Sequence, residues 1–188
     1  MSECVWPGKN QTMQQYHQNE WCVPSFDDTY IFEMLTLEGA QAGLSWSTIL
    51  AKREEYQKAF HNFDILHCAK LTENELETIR DNYGIIKNML KIRSVRSNAI
   101  AAIKVQTEFE SLSNYLWSFV NHKPVINQWE LEGQVPAQSE LSERISKDLK
   151  KRGFKFVGPV IIYSFLQAIG ILDDHIKSCP YHSNNREK

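Results

Sequence analysis

Two pairs of cysteine and histidine residues, one near each end of the chain, have the chemistry of metal ligands. His175 and Cys179 are four residues apart, so both would project from one face if the last helix continues there. Cys4 and His17 have twelve residues between them, and the four side chains would complete a tetrahedral Zn²⁺ site. Neither pair has the short spacing of a specific zinc motif, so four unrelated residues are the alternative. Such a site would be structural, because four protein ligands leave no position for an activated water.

Glu38 lies in a segment of small and apolar residues, 37–46, that contains no cation. A buried carboxylate needs hydrogen-bond donors or a cationic ligand, because otherwise its pKa rises until it is neutral. An exposed glutamate at a helix end is the commoner alternative. The neighbouring Gln41 and Trp46 favour a binding site instead.

Four aromatic residues, Trp6, Tyr16, Trp21 and Trp46, provide more aromatic surface than an irregular N-terminal arm requires. Aromatic faces stack on nucleobases and attract cations, although core packing is their ordinary role. A cavity with aromatic walls and a single carboxylate would suit a purine that carries positive charge.

The spacing of apolar residues and capping side chains predicts an all-α protein. Residues 1–26 are expected to form an irregular arm with one short helix near residues 14–19. Residues 121–138 are expected to form a surface loop that could contain short strand-like segments. The predicted helices begin at Asp27 or Asp28, at Ser45 (to Phe60), at Thr72 (to before Gly84), and at Ser139 (to Gly153), and further helices cover residues 88–104, 108–120 and 160–171.

The composition is that of one globular domain. Of 188 residues, 42% are hydrophobic and 23% are charged, and the net charge of −2 means that any contact with nucleic acid needs a local basic patch. No apolar run reaches membrane-spanning length, so we expect a cytoplasmic protein, most simply a monomer, with no membrane partner. Cys22 could compete as a metal ligand or form a disulfide with Cys4 or Cys179, whereas Cys68 is expected to be a packed small residue.

At these same residues the sequence resembles the DNA-3-methyladenine glycosylase I family, and the match runs nearly end to end. The resemblance depends on Cys4-Val5-Trp6, Tyr16-His17-Gln18-Asn19-Glu20-Trp21, residues 37–46, Trp117-Ser118-Phe119-Val120-Asn121-His122, residues 150–158, and His175 with Cys179. This sequence departs from the family pattern in two places. Cys22 stands where similar proteins usually have glycine. The turn that corresponds to the family's hairpin reads Gly84-Ile85-Ile86-Lys87 rather than glycine-x-glycine.

The resemblance implies a helix-hairpin-helix DNA glycosylase fold in a single domain over residues 1–188. The hairpin unit would span about 72–104, and residues 1–26 and 172–188 would form a subregion joined by one structural Zn²⁺. The implied zinc ligands are Cys4, His17, His175 and Cys179.

The resemblance also implies roles in base recognition and DNA binding. Glu38 would be the catalytic residue that recognises a flipped base, with Tyr16 and Trp46 lining the pocket and Trp6 and Trp21 in its walls. Gly84, Lys87 and Lys91 would hold the DNA backbone at the start of the helix that follows the hairpin.

The implied activity is hydrolysis of the N-glycosidic bond of 3-methyladenine in alkylated double-stranded DNA, which leaves an abasic site. No lysine lies in the base-pocket motifs, so we expect a monofunctional glycosylase that does not cut the strand. The alternative is a non-catalytic, zinc-stabilised DNA-binding or interaction module, supported by the basic hairpin helix and by the cations of residues 150–155.

Overall fold

The computed structural model describes residues 4–186, and the predicted domain boundaries at residues 1–3 and 187–188 lie outside them. The described residues form ten α-helices and one pair of two-residue strands, so the predicted helical class is confirmed. The helices are α1 Gln11–Asn19, α2 Asp28–Gln41, α3 Trp46–Leu50, α4 Arg53–Ala59, α5 Ile65–Lys70, α6 Glu73–Asn82, α7 Met89–Phe109, α8 Leu112–Ser118, α9 Glu140–Lys151 and α10 Pro159–Ala168.

Local capping chemistry fixes several helix starts where the sequence predicts them. The Asp27 side chain accepts the Tyr30 N–H at the start of α2, and Ser45 does the same for Thr48 at α3. Thr72 and Glu75 form a reciprocal capping box at α6. These bonds satisfy backbone donors that have no partner inside the helix.

Several predicted helices differ in extent from those of the structure. The helix expected from Ser45 to Phe60 is interrupted at Lys52, whose ψ of 1° is not helical, so α3 and α4 are separate. The helix expected over residues 108–120 begins only after Ser111, because α7 runs on to Phe109 and Glu110 then adopts a φ of 70°. Helix α5, which packs along α7, had no prediction from the sequence.

The last helix ends at Ala168, three residues earlier than predicted. Gly170 has a φ of 71°, and a Cβ there would lie 2.2 Å from the carbonyl carbon of Val23, so this turn requires glycine. Strand β2, Leu172–Asp173, then pairs in parallel with β1, Val125–Ile126. His175 and Cys179 therefore lie in a loop, and not on one face of a continuing last helix as their spacing suggested.

The core is centred on α10, as its apolar sequence predicts. Helix α10 packs between α2 and α9, and α2 also contacts α3, α7 and α8. Nearly all of the last ten residues of α2 are buried, including its two glutamates, Glu33 and Glu38. None of the helices in the described residues has the length and apolar character needed to cross a lipid bilayer.

Candidate functional site

A cavity of about 220 Å³ opens where the N-terminal arm meets α1, α2, α3 and α10. Its size is below the roughly 300–1,000 Å³ of sites for drug-sized ligands, so it suits a single heterocycle. All five residues predicted for base recognition lie in its walls, together with three further polar residues. The lining residues are Trp6, Tyr16, Trp21, Glu38, Gln41, Trp46, Ser164 and Gln167.

The aromatic rings in the cavity wall pack edge-on or tilted against one another. The Trp6 and Trp21 rings lie 5.0 Å apart at 65°, and those of Tyr16 and Trp46 lie 5.3 Å apart at 55°. Within the described part of the chain, Trp6 Nε1, Tyr16 Oη and Trp46 Nε1 are buried without hydrogen-bond partners. Unsatisfied polar atoms are costly, so a ligand with matching donors and acceptors would be stabilised here.

Glu38 brings a carboxyl group to this cavity without a neutralising partner. The residue is 4% exposed, and among residues 4–186 its side chain forms no hydrogen bond or ion pair. Burial raises the pKa of Glu38 to about 8. Next to it, Gly39 allows close packing, because a Cβ there would lie 3.2 Å from Phe156 Cβ. The carboxyl group would gain most from a cation or from N–H donors on a ligand.

The predicted metal ligands converge from both ends of the chain. The ligand atoms of Cys4, His17 and Cys179 lie within 4.8 Å of one another, and all three side chains are buried. The His175 ring is 4.8 Å from the His17 ring, and His175 Nε2 is buried without a hydrogen-bond partner in the described residues. Burial and the nearby His175 lower the pKa of His17 to about 4, so that this imidazole is neutral, the form that binds metals.

Asp173 orients one of these imidazoles. Its Oδ1 lies 2.8 Å from His175 Nδ1, while its Oδ2 accepts a 2.8 Å hydrogen bond from the Ser183 backbone N–H. A carboxylate on one ring nitrogen places the proton there and leaves the other nitrogen as a free ligand. The unpartnered Nε2 of His175 has the chemistry that a metal ion requires.

Comparison with known proteins identifies the family. A model described as methyladenine glycosylase matches residues 6–182. The chain belongs to the methyladenine glycosylase family. The resemblance found in the sequence is therefore confirmed.

Two curated relatives match almost the whole chain. The DNA-3-methyladenine glycosylase of Haemophilus influenzae is 42% identical over 179 residues, which cover 95% of this chain and 97% of the relative. DNA-3-methyladenine glycosylase 1 of Escherichia coli is 42% identical over 186 residues, which cover 99% and 100%. A solved structure of 3-methyladenine DNA glycosylase I from Staphylococcus aureus, which addresses the structural basis of its 3-methyladenine recognition, matches this chain with a TM-score of 0.94. The two sequences are 36% identical, and the match covers 97% of each chain.

The three residues predicted to hold the DNA backbone lie in different environments in this methyladenine glycosylase. The Gly84 N–H donates to Glu55 Oε2 at 3.0 Å, and the Gly84 carbonyl accepts from Lys52 at 2.6 Å. Lys91 Nζ donates to the carbonyl oxygens at the end of α2, and its pKa is lowered by burial. Lys87 is exposed in the turn between α6 and α7.

Cys22 occupies a backbone conformation that favours glycine. Its φ is 60°, in the left-handed region that favours glycine, and its Sγ accepts the Asp174 N–H at 3.3 Å. The Cys22 thiol also lies within 4.8 Å of ligand atoms of Asp173 and His175. All four cysteines are free, and Cys68 is a packed core residue that donates to the Phe60 carbonyl.

Sequence reasoning missed two cavity residues, Ser164 and Gln167, and the buried carboxylates Asp173 and Asp174. Ser164 and Gln167 are three residues apart on α10, so they share one face of an otherwise apolar helix. This polar pair on an apolar helix was the sequence feature that could have indicated a binding site. Asp173 is the last residue of strand β2 and Asp174 follows it, and the pairing of this strand depends on a distant loop, so no local pattern marked either aspartate.

Proposed function

We propose that this chain hydrolyses the N-glycosidic bond of 3-methyladenine in alkylated double-stranded DNA and leaves an abasic site. One observation carries the proposal: an aromatic cavity the size of one base contains a buried carboxyl group without a partner in the described residues. Membership of the methyladenine glycosylase family supports it. The names of the relatives identify 3-methyladenine as the substrate, because the geometry of the cavity alone would suit any cationic purine.

Access to the cavity requires the damaged nucleotide to leave the helical stack. Extrusion of a nucleotide costs a few kcal/mol, and weakened pairing of a damaged base reduces this cost. Stacking on the cavity aromatics offsets the remainder, because the rings of Tyr16 and Trp46 provide faces for a planar base. A base with positive charge gains an additional cation–π contribution.

The positive charge of the lesion determines what the chain must do in the reaction. Methylation at N3 makes the nucleotide cationic, so the base departs as a neutral molecule without prior protonation. Glu38 then has the role of holding the base by charge and hydrogen bonding, and it need not supply a proton. Water attacks C1′ of the deoxyribose and releases one proton to the solvent, while the bond to the base breaks and its electrons neutralise the leaving base.

We further propose that Cys4, His17, His175 and Cys179 hold a single structural Zn²⁺. The donor set is suitable, since the Cys4 and Cys179 thiols and the His17 imidazole lie buried within 4.8 Å of one another. The buried His175 ring is 4.8 Å from that of His17, and its Nε2 has no protein partner among the described residues. Four protein ligands leave no open position, so the metal would stabilise the fold and take no part in hydrolysis. It would fix the arm that contributes Trp6 and Trp21 to the cavity.

The turn formed by residues 83–88 is the proposed contact with the DNA backbone. Within the described residues, the N–H groups of Lys87 and Met89 form no hydrogen bond, and Met89 begins α7. Free N–H groups at a helix start attract phosphate, and the exposed Lys87 adds charge. Helices α6 and α7 with this turn would then serve as the helix-hairpin-helix unit.

Multiple-turnover release of free base tests the proposal against a DNA-binding module without catalysis. Double-stranded DNA treated with a methylating agent is incubated with substoichiometric protein, and the released bases are separated by chromatography. We expect several equivalents of 3-methyladenine per protein and an uncut strand that breaks only on alkaline treatment. Retention of the lesion in intact methylated DNA would refute the activity.

A further inference from the structure

Behind the cavity, a buried carboxylate accepts hydrogen bonds from four side chains. Asp174 is 1% exposed. Its Oδ1 accepts from Asn127 Nδ2 at 2.6 Å and from Trp129 Nε1 at 2.7 Å, and its Oδ2 accepts from Tyr163 Oη and Gln167 Nε2, both at 2.7 Å. Asp174 thereby links the loop after α8 to α10.

These contacts determine which way the Gln167 amide faces. Burial and the adjacent Asp174 raise the pKa of Tyr163, so the phenol keeps its proton and donates. A carboxylate surrounded by donors only accepts, so Gln167 must present its NH₂ group to it. The carbonyl oxygen Oε1 is then the remaining polar atom, and it forms no hydrogen bond with any described residue. Gln167 is 9% exposed and lines the cavity that contains Glu38.

We propose that Gln167 is a specificity-determining residue whose Oε1 accepts a hydrogen bond from the exocyclic amine of the flipped base, and that Asp174 is the positioning residue that fixes this orientation. The inference rests on the proposed glycosylase function and adds the means by which adenine is distinguished from guanine.

The chemistry of the two purines gives this acceptor its selectivity. Adenine carries an amine at position 6, whereas guanine carries a carbonyl oxygen there. The two amine hydrogens of adenine match two acceptors, the Glu38 carboxylate and Gln167 Oε1. In 3-methylguanine, the carbonyl oxygen would face these acceptors and leave them unpaired. Sites built to bond a substrate N–H discriminate strongly against analogues without it, because buried polar groups then lose their partners.

Substitution of Gln167 by methionine tests the acceptor directly. Methionine is similar in volume, and Asp174 keeps three of its four donors, so the fold is expected to persist. The full-length wild type and the Gln167→Met variant are compared on methylated double-stranded DNA, with chromatographic measurement of both 3-methyladenine and 3-methylguanine. Gln138→Met, in an exposed loop, is the matched control.

We expect the ratio of the initial release rates, 3-methyladenine over 3-methylguanine, to fall by about tenfold or more in Gln167→Met, as for the loss of one hydrogen bond, and to stay unchanged in Gln138→Met. An unchanged ratio in Gln167→Met, whether both rates fall together or neither falls, overturns the inference and leaves the glycosylase function intact. Failure of the wild type to release any base refutes the proposed function itself.

Asp174→Asn provides the second test, which also covers poor folding of Gln167→Met. An asparagine amide can donate to Gln167 Oε1, which frees the glutamine to reverse and present its NH₂ group to the base. The same release ratio is therefore expected to fall. A merely structural role for Asp174 would lower both rates in proportion, and an unchanged ratio would refute its positioning role. Titration of the cavity tryptophan fluorescence with free 3-methyladenine and 3-methylguanine should show the same loss of preference in both variants.

Discussion

Lys91 Nζ lies 2.8 Å from the Ala40 carbonyl oxygen and equally close to that of Ala42, so the first turn of α7 supports the last turn of α2. Helix carbonyls at a C-terminus lack intrahelical donors and attract cations. This contact connects the proposed DNA-binding turn to the segment that follows Glu38. It also assigns to Lys91 a role that differs from the phosphate contact expected from the sequence.

Lys91 and Lys87 should therefore behave differently when each is replaced by methionine. We expect Lys91→Met to lower Tm by roughly 2–6 °C, because it loses hydrogen bonds worth about 1–2 kcal/mol. Lys87→Met should leave Tm unchanged and reduce the slope of log affinity for DNA against log salt by about 1. A reduced salt slope with normal Tm in Lys91→Met would instead make Lys91 a phosphate ligand.

The pH dependence of kcat/KM should report the ionisation of Glu38. Methylation at N3 gives the lesion a positive charge that does not require a bound proton, so the lesion binds best when the carboxyl group is ionised. Burial raises the pKa of Glu38 to about 8. We expect kcat/KM for excision to increase with pH and to level off above about 8, because this parameter reflects groups of the free enzyme. The Glu38→Gln variant should not show this increase of kcat/KM with pH. The same rise with pH in Glu38→Gln would assign it to another group.

The same pKa shift predicts how stability changes with pH. The pKa of Glu38 is raised from 4.5 to about 8, so the folded protein binds more protons than the unfolded chain between these values. The stabilising contribution of protonated Glu38 is complete below about 4.5 and is lost as pH rises through about 8. The difference in Tm, Glu38→Gln minus wild type, should be roughly 8–15 °C larger at pH 9 than at pH 5. A Tm difference independent of pH would show that the carboxyl group is solvated.

Zinc analysis tests the proposed metal site independently of catalysis. Freshly purified, reduced protein should contain one Zn²⁺ per chain, and Cys4→Ser should lose metal and several degrees of Tm, because metal binding is coupled to folding. Cys68→Ser is a control for loss of a buried thiol remote from the metal ligands. Substoichiometric zinc in the wild type, together with a fully stable Cys4→Ser, would reject the site.

Asp173 offers a finer test of the same site. Asp173→Asn keeps the shape of the side chain but removes the charge that orients His175, whose Nδ1 lies 2.8 Å from Asp173 Oδ1. Loss of such a partner typically weakens metal binding by about 10–100-fold. We expect faster zinc loss to a chelator, whereas unchanged loss would show that Asp173 does not orient a ligand.

Short-range patterns in the sequence predicted much of the fold. The caps at Asp27, Thr72 and Ser139 lie within three residues of the donors they satisfy, so a local motif is enough to place these helix starts. The break between α3 and α4 and the left-handed Glu110 have no comparable signal, because tertiary packing overrides helix propensity there. The end of α10 is likewise set by contact between Gly170 and the distant Val23.

The cavity residues could be predicted because each has an unusual setting in the sequence. Glu38 has no cation nearby in sequence, and Trp6 and Trp21 lie in an irregular arm, so each is conspicuous as a single residue. Gln167 has its meaning only through Asp174, and this contact depends on the turn that ends α10. Single-residue chemistry could thus be predicted, while the orientation of an amide by a carboxylate seven residues away, across the turn that ends α10, could not.

The release of free 3-methyladenine by the Glu38→Gln variant is the most direct test of the proposed mechanism. This substitution removes the negative charge of the side chain and retains its shape. Methylated double-stranded DNA is incubated with the wild type, Glu38→Gln, and Glu54→Gln as an exposed control. We expect Glu54→Gln to match the wild type and Glu38→Gln to release the base at least about tenfold more slowly, with its fold intact. Equal release by all three proteins would contradict a role for the buried carboxylate in holding the cationic base.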